Sequence, residues 1–140
     1  MTQKRYEQIP HTADLAAKIY GKTLPELYQN AAFAMFDMMA DVKDAGAEEP
    51  IEVSVEAPDR ESLLISWLNE LLYIFYIKRI VFSEFSISSL TENKLTGTAK
   101  GQKIKEGTNP LKAEIKAATY HDLDIRKTEN GYEVTVIFDV

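Results

Sequence analysis

The chain has 140 residues, with 16 basic and 22 acidic side chains and a net charge of −6. That length suits one domain with a true hydrophobic core, and the acidic balance gives no broad electrostatic footprint for nucleic acid or an anionic membrane. Cysteine is absent, which excludes disulfides, thiolate zinc sites and thiol nucleophiles and fits a reducing compartment. In chain order, Met1-Thr2-Gln3-Lys4-Arg5-Tyr6 lacks the apolar segment of a signal peptide, and no run approaches the roughly 20 apolar residues needed to cross a bilayer. The expectation is a soluble cytoplasmic protein without membrane association, folded as one domain over 1–140.

Residues 5–9 and 15–21 read as two short strands, with Leu15, Ala17 and Ile19 on one face. Gly21-Lys22 closes the second. Thr23-Leu24-Pro25-Glu26 then has capping-box spacing, with Pro25 tolerated in the first turn. Leu27, Tyr28, Ala31, Ala32, Met35, Phe36 and Met39 recur at helical spacing, which predicts a helix to about residue 40. Residues 41–50 form a polar loop. Ile51, Val53 and Val55 alternate with polar residues as a strand, and Asp59 is placed to cap a second helix. That helix carries a wide apolar stripe from Leu63 to Phe75. Strands follow at about 81–90 and 94–103, then a loop over 105–111 and a strand over 112–118. A last hairpin pairs about 122–128 with 132–139 across Asn130-Gly131. Two helices and about eight short strands in mixed order predict an α+β two-layer sandwich of mixed sheet and helices.

The sequence closes on Tyr132-Glu133-Val134-Thr135-Val136-Ile137-Phe138-Asp139-Val140. Its alternation predicts a half-buried strand running to the final residue, with Asp139 facing away from the apolar set. The Asp139 side chain and the Val140 carboxylate would then sit side by side on a rigid element, and adjacent carboxylates suit a hard, oxygen-seeking cation. Other residues carry weaker signals. Asp14, in Pro10-His11-Thr12-Ala13-Asp14, stands at a strand entry, where an Asp commonly bonds nearby backbone N–H groups. His11 could ligate a metal or serve the local structure. Alternation puts Glu114 and Lys116 opposite Ile115 and Ala117, so Lys116 is expected off the core. Lys100, Lys103, Lys105 and Lys112 surround a glycine-containing turn and are read as a solvated face. There is no phosphate-binding glycine loop, no His-x-x-x-His pair and no nucleophile elbow.

Taken together, several segments resemble the archease family. They are His11-Thr12-Ala13-Asp14, the capped helix with Ala32-Phe33-Ala34-Met35-Phe36, Leu63 to Tyr73, Ile115-Lys116-Ala117-Ala118-Thr119-Tyr120-His121, and Phe138-Asp139-Val140. The resemblance spans nearly the whole chain in order. It implies two strand-helix-strand-strand modules, one inserted in the other. It also implies a non-enzymatic accessory factor for the RtcB-type RNA ligase, promoting the ligase's guanylylation and multiple turnover in tRNA splicing and RNA repair. RNA would then be met only through the ligase. The family pattern carries a divalent cation, calcium or magnesium, onto Asp14, Asp139 and Val140, and a role in ligase activation onto Asp14, Lys116 and Asp139. His11, Thr119 and His121 would stand in support. Relatives often have Gly-Glu and then a His before the lysine; here Gln102 follows Gly101, and Asn109 stands roughly where the His would be. A stand-alone metal-dependent phosphohydrolase and a protein-interaction module without metal chemistry are the alternative readings.

Overall fold

A computed structural model describes residues 4–11, 14–41 and 46–140, with the backbone alone at Glu49. Residues 1–3, Thr12 and Ala13 of the His11–Asp14 motif, and residues 42–45 of the polar loop lie outside the described residues. The strands are β1 (Tyr6–Ile9), β2 (Leu15–Gly21), β3 (Glu49–Glu56), β4 (Ile80–Leu90), β5 (Lys94–Lys103), β6 (Ala117–Ala118), β7 (Arg126–Thr128) and β8 (Gly131–Asp139). The helices are α1 (Leu24–Met39) and α2 (Arg60–Lys78).

Both helices begin where their polar caps dictate. Thr23 Oγ1 accepts the Glu26 N–H at 3.2 Å, and Glu26 Oε1 accepts the Lys22 N–H at 3.3 Å, one residue ahead of the usual capping box. Asp59 accepts the Ser62 N–H at 2.7 Å, and that bond holds its carboxyl below the ordinary carboxylate range. α2 stops at Arg79, whose left-handed φ of 54° ends the ladder.

The fold is α+β, as the sequence predicts. A five-stranded sheet runs β1-β2-β8-β6, with β7 also on β8, and a three-stranded sheet runs β3-β5-β4. Every pairing is antiparallel, so the mixed sheet expected from sequence is replaced by two antiparallel ones. The reason is topological. β3, α2 and β4 form a crossover, but β5 inserts between the two strands and pairs antiparallel with each. β3-α2-β4-β5 is thus a strand-helix-strand-strand unit set between α1 and β6.

α1 packs on β2 and β4, one strand from each sheet, while α2 packs on β3 and β6. The helices therefore form one layer over both sheets. Phe36 of α1 sits at the join, edge-on to Phe75 and Phe82 at 5.8 and 5.5 Å between ring centres, and stacked on Phe85 at 5.7 Å. Burying such a ring contributes about 2–3 kcal/mol. Trp67 is fully buried, and its indole N–H donates to the Tyr28 carbonyl at 3.0 Å. Tyr6 donates to Asp37, and Tyr20 to Glu7 at 2.7 Å. Burial and then the Glu7 bond push the Tyr20 hydroxyl up to about 12.

Several expectations are corrected. The strand predicted over 112–118 shrinks to Ala117–Ala118, because the backbone N–H groups of Lys112 and Ala113 turn to the Met39 carbonyl at the end of α1. Ile115 and Ala118 are both core residues, a spacing of three that breaks the predicted alternation, and Ala117 lies outside the core cluster. The last hairpin turns on Glu129-Asn130 rather than Asn130-Gly131, and Gly131 already pairs with Thr128. Gly131 serves a close approach instead: its φ is +143°, and a Cβ there would collide with the Gly21 carbonyl. Finally, β3 begins at Glu49, inside the predicted loop, and β8 ends at Asp139, one residue before the last.

Candidate functional site

β8 is central in its sheet, so its end brings distant segments together. Leu15 of β2 pairs with Phe138, and Ala117 of β6 pairs with Asp139. Asp14 immediately precedes Leu15 and Asp139 immediately follows Phe138, so the two aspartates flank the last pair of the β2–β8 ladder. Successive residues of a strand alternate faces, so Asp139 lies on one face of β8. That face is the one opposite Val134, Val136 and Phe138, which are all core. Asp139 and Val140 are exposed, and Asp14 is half-buried. Alternation along β8 thus turns Asp139 away from the core, as its sequence predicts.

Lys116 reaches the same edge from the other side. Its backbone N–H donates to the Asp139 carbonyl at 2.8 Å, and its side chain is exposed. Among the described residues its ammonium has no ion-pair partner. The structure therefore sets Asp14, Lys116, Asp139 and Val140 at one end of three adjacent strands. His11 joins them through Asp14, with Nδ1 at 3.6 Å from Oδ2.

The other two expected supports differ. Thr119 is structural: its N–H and its hydroxyl both donate to the Ile137 carbonyl, at 3.0 and 2.8 Å, pinning β6 to β8. His121 is exposed and pairs with its neighbour Asp122 at 3.3 Å. Among the described residues no hydrogen bond or ion pair ties it to Asp14 or Asp139.

Two residues that the sequence does not single out, Asn69 and Tyr76, hold this edge in place. Thr119 bonds β8, so the N–H and carbonyl of Ala118, next in the alternation, turn outward. Asn69 of α2 satisfies both: its Oδ1 accepts the Ala118 N–H at 2.7 Å, and its Nδ2 donates to the Ala118 carbonyl at 3.2 Å. A side-chain amide thus does what a further strand would do. Tyr76, two turns on, donates to the Ile115 carbonyl at 2.8 Å, and burial raises its hydroxyl pKa and keeps it a donor. The signal for Asn69 was a lone amide in the apolar run of α2, where an unpartnered polar group would be costly.

Among the described residues no three His, Cys, Asp or Glu side chains cluster as a metal centre would require. The expected donor set is of a different make-up: two carboxylate side chains and a main-chain carboxylate. Oxygen donors of that kind fit a hard cation such as calcium or magnesium, with water completing the shell. Gln102 accepts the Gly46 N–H at 2.9 Å. The exposed lysines at 100, 103, 105 and 112 make no ion pair among the described residues.

The family model described as the archease protein family matches residues 6–140. A Methanosarcina barkeri protein archease is 41% identical over 141 residues, covering 98% of this chain and 97% of its own length. A Pyrococcus abyssi protein archease is 40% identical over 131 residues, covering 91% and 92%. The solution structure of Methanobacterium thermoautotrophicum protein 1598 superposes with a TM-score of 0.82 at 37% identity, covering 99% of this chain and all of the other.

Proposed function

Since the chain belongs to the archease protein family, we propose that it is a metal-binding accessory factor that activates an RtcB-type RNA ligase. In this reading it promotes guanylylation and repeated turnover of the ligase during tRNA splicing and RNA repair, and it catalyses no reaction of its own. The observation that carries the reading is the strand register: β2, β8 and β6 bring Asp14, Asp139 and the Lys116 backbone to one exposed edge. An exposed acidic edge is what a partner's active site could receive.

Asp14, Asp139 and the Val140 carboxylate would hold the cation, with His11 orienting Asp14. When bound, the ion would offset negative charge on phosphate groups. Lys116 would limit repulsion among the carboxylates or contact phosphate directly, since a nearby cation favours charged carboxylates. Asn69, Tyr76 and Thr119 would fix the backbone that carries Lys116. Contact with RNA would come through the ligase, and no helix among the described residues is long and apolar enough to cross a membrane.

The test is ligase guanylylation at limiting amounts of this protein, alongside calcium and magnesium titration by calorimetry. Asp14→Asn and Asp139→Asn should each weaken cation binding and activation while leaving the fold intact. A peptide extension after Val140 converts its carboxylate to an amide and should do the same, whereas an N-terminal extension should not. Equal metal affinity and equal activation for the two extended forms would remove Val140 from the site. Hydrolysis of phosphate esters by the purified protein alone would favour the phosphohydrolase reading instead.

A further inference from the structure

A cleft of about 360 Å3 opens where α1 meets the edge strand β4, far from the acidic edge. Arg5 lines it from just before β1. The Tyr20 N–H donates to the Arg5 carbonyl, which fixes Arg5 beside Tyr20. At about 3.4 Å per residue, Tyr20 lies roughly 20 Å up β2 from Asp14.

Several donors in the lining have no protein partner among the described residues. The Arg5 guanidinium rests over the Phe33 ring at 4.3 Å from its centre, so it is held in place without being neutralised. Lys100 lines the opposite wall on β5. Neither cation has a carboxylate within ion-pair distance among the described residues. Ser86 and Thr98 are cross-strand partners, and their hydroxyls have no hydrogen-bond partner among the described residues. Gln29 spends its Oε1 on the Ile87 N–H at 3.1 Å, which leaves its NH2 group as the free end. Against these stand two acceptors, Glu84 and the Oδ1 of Asn30, whose Nδ2 is committed to the Tyr20 carbonyl at 2.7 Å.

We infer that this cleft is a binding site for a small phosphorylated ligand of about mononucleotide size. Two unpaired cations and three free donor groups suit a phosphate, which needs several N–H or O–H donors and offers no competing one. Phosphate alone would leave most of the volume empty, since small-molecule pockets begin at about 300 Å3. The two acceptors can take the hydroxyls of a ribose, and Phe33 and Phe85 give the cleft apolar walls. The cleft sets two cations, Arg5 and Lys100, against one carboxylate, Glu84, the cross-strand neighbour of Lys100, so it keeps a local positive excess in a chain of net charge −6. The site shares no residue with the acidic edge and does not depend on the ligase reading.

The experiment is an NMR titration of the full chain, labelled with 15N, with adenosine 5′-monophosphate, ribose 5-phosphate and adenosine as probes. Adenosine 5′-monophosphate should shift the Arg5 Nε–H, the Gln29 side-chain NH2 and the amides of residues 83–86 saturably below about 10 mM. Ribose 5-phosphate should move the same signals and adenosine should not. The double variant Arg5→Gln, Lys100→Gln should keep its melting temperature and bind the nucleotide at least about tenfold more weakly. No saturable shift, an equal response to adenosine, unchanged binding by the double variant, or shifts confined to the lysines at 103 and 105 would each overturn the proposal.

Discussion

Asn69→Ala tests whether one side chain couples the core to the acidic edge. The substitution removes both partners of the Ala118 backbone, the acceptor at 2.7 Å and the donor at 3.2 Å. Ala118 is only 4% exposed, so water reaches these groups poorly. Leaving one buried polar group unpaired costs about 1–3 kcal/mol, and two are left here. The space vacated by the amide can admit a water molecule that recovers part of the loss, so a total of about 2–4 kcal/mol is expected. For a chain of this length that lowers the melting temperature by roughly 6–12 °C. Asn69→Asp keeps an acceptor for the N–H but sets a carboxylate against the carbonyl, so it should rescue only part of the loss.

Two assays together check this. Urea unfolding gives the stability change, and amide hydrogen exchange gives its location. Exchange at Lys116, Ala118 and Thr119 should accelerate more than exchange in β3 and β5, because among the described residues β6 hydrogen-bonds only to β8 and Asn69. Ligase activation should fall with it, since the Lys116 backbone is anchored through the same segment. A stability change under about 0.5 kcal/mol, the range of an ordinary surface substitution, would refute the reasoning. Uniformly faster exchange across both sheets would show that Asn69 supports the whole core rather than this edge.

Lys116→Ala should leave the melting temperature within error, since its side chain is exposed, and should lower ligase activation at limiting protein; unchanged activation would take Lys116 out of the site. Asp59→Ala should lower the melting temperature at neutral pH by removing the α2 cap. Because the folded-state pKa of Asp59 is depressed, its contribution is present above the unfolded value near 4 and is lost as pH falls through the folded one, so the gap between the two proteins should close in acid. A gap that stayed constant to the lowest pH would contradict the cap assignment. Gly131→Ala should destabilise by at least about 1 kcal/mol, through both its φ of +143° and the collision with Gly21, whereas Gly107→Ala meets only the strain of its own φ of 83° with open space around it. Equal urea midpoints for the two variants would show that the Gly21 approach carries no weight.

The sequence by itself determined the elements whose signals are local. Thr23 and Asp59 mark both helix starts because capping is a bond between a side chain and a backbone three residues on. The alternation of β2 and β8 named their buried faces, and with them the outward turn of Asp139. Only the tertiary structure decided which strands are neighbours. Nothing local tells β8 to lie between β2 and β6, yet that placement alone sets Asp14, Lys116 and Asp139 at one edge from three distant parts of the chain. The segment 112–118 shows the same limit from the other side. Its alternation is that of a strand, but Met39, Asn69 and Tyr76 offer its backbone partners that no strand rule foresees, and it bends to take them. The backbone must satisfy its hydrogen bonds somewhere, and where they go is a property of the packed chain rather than of the residues that make them.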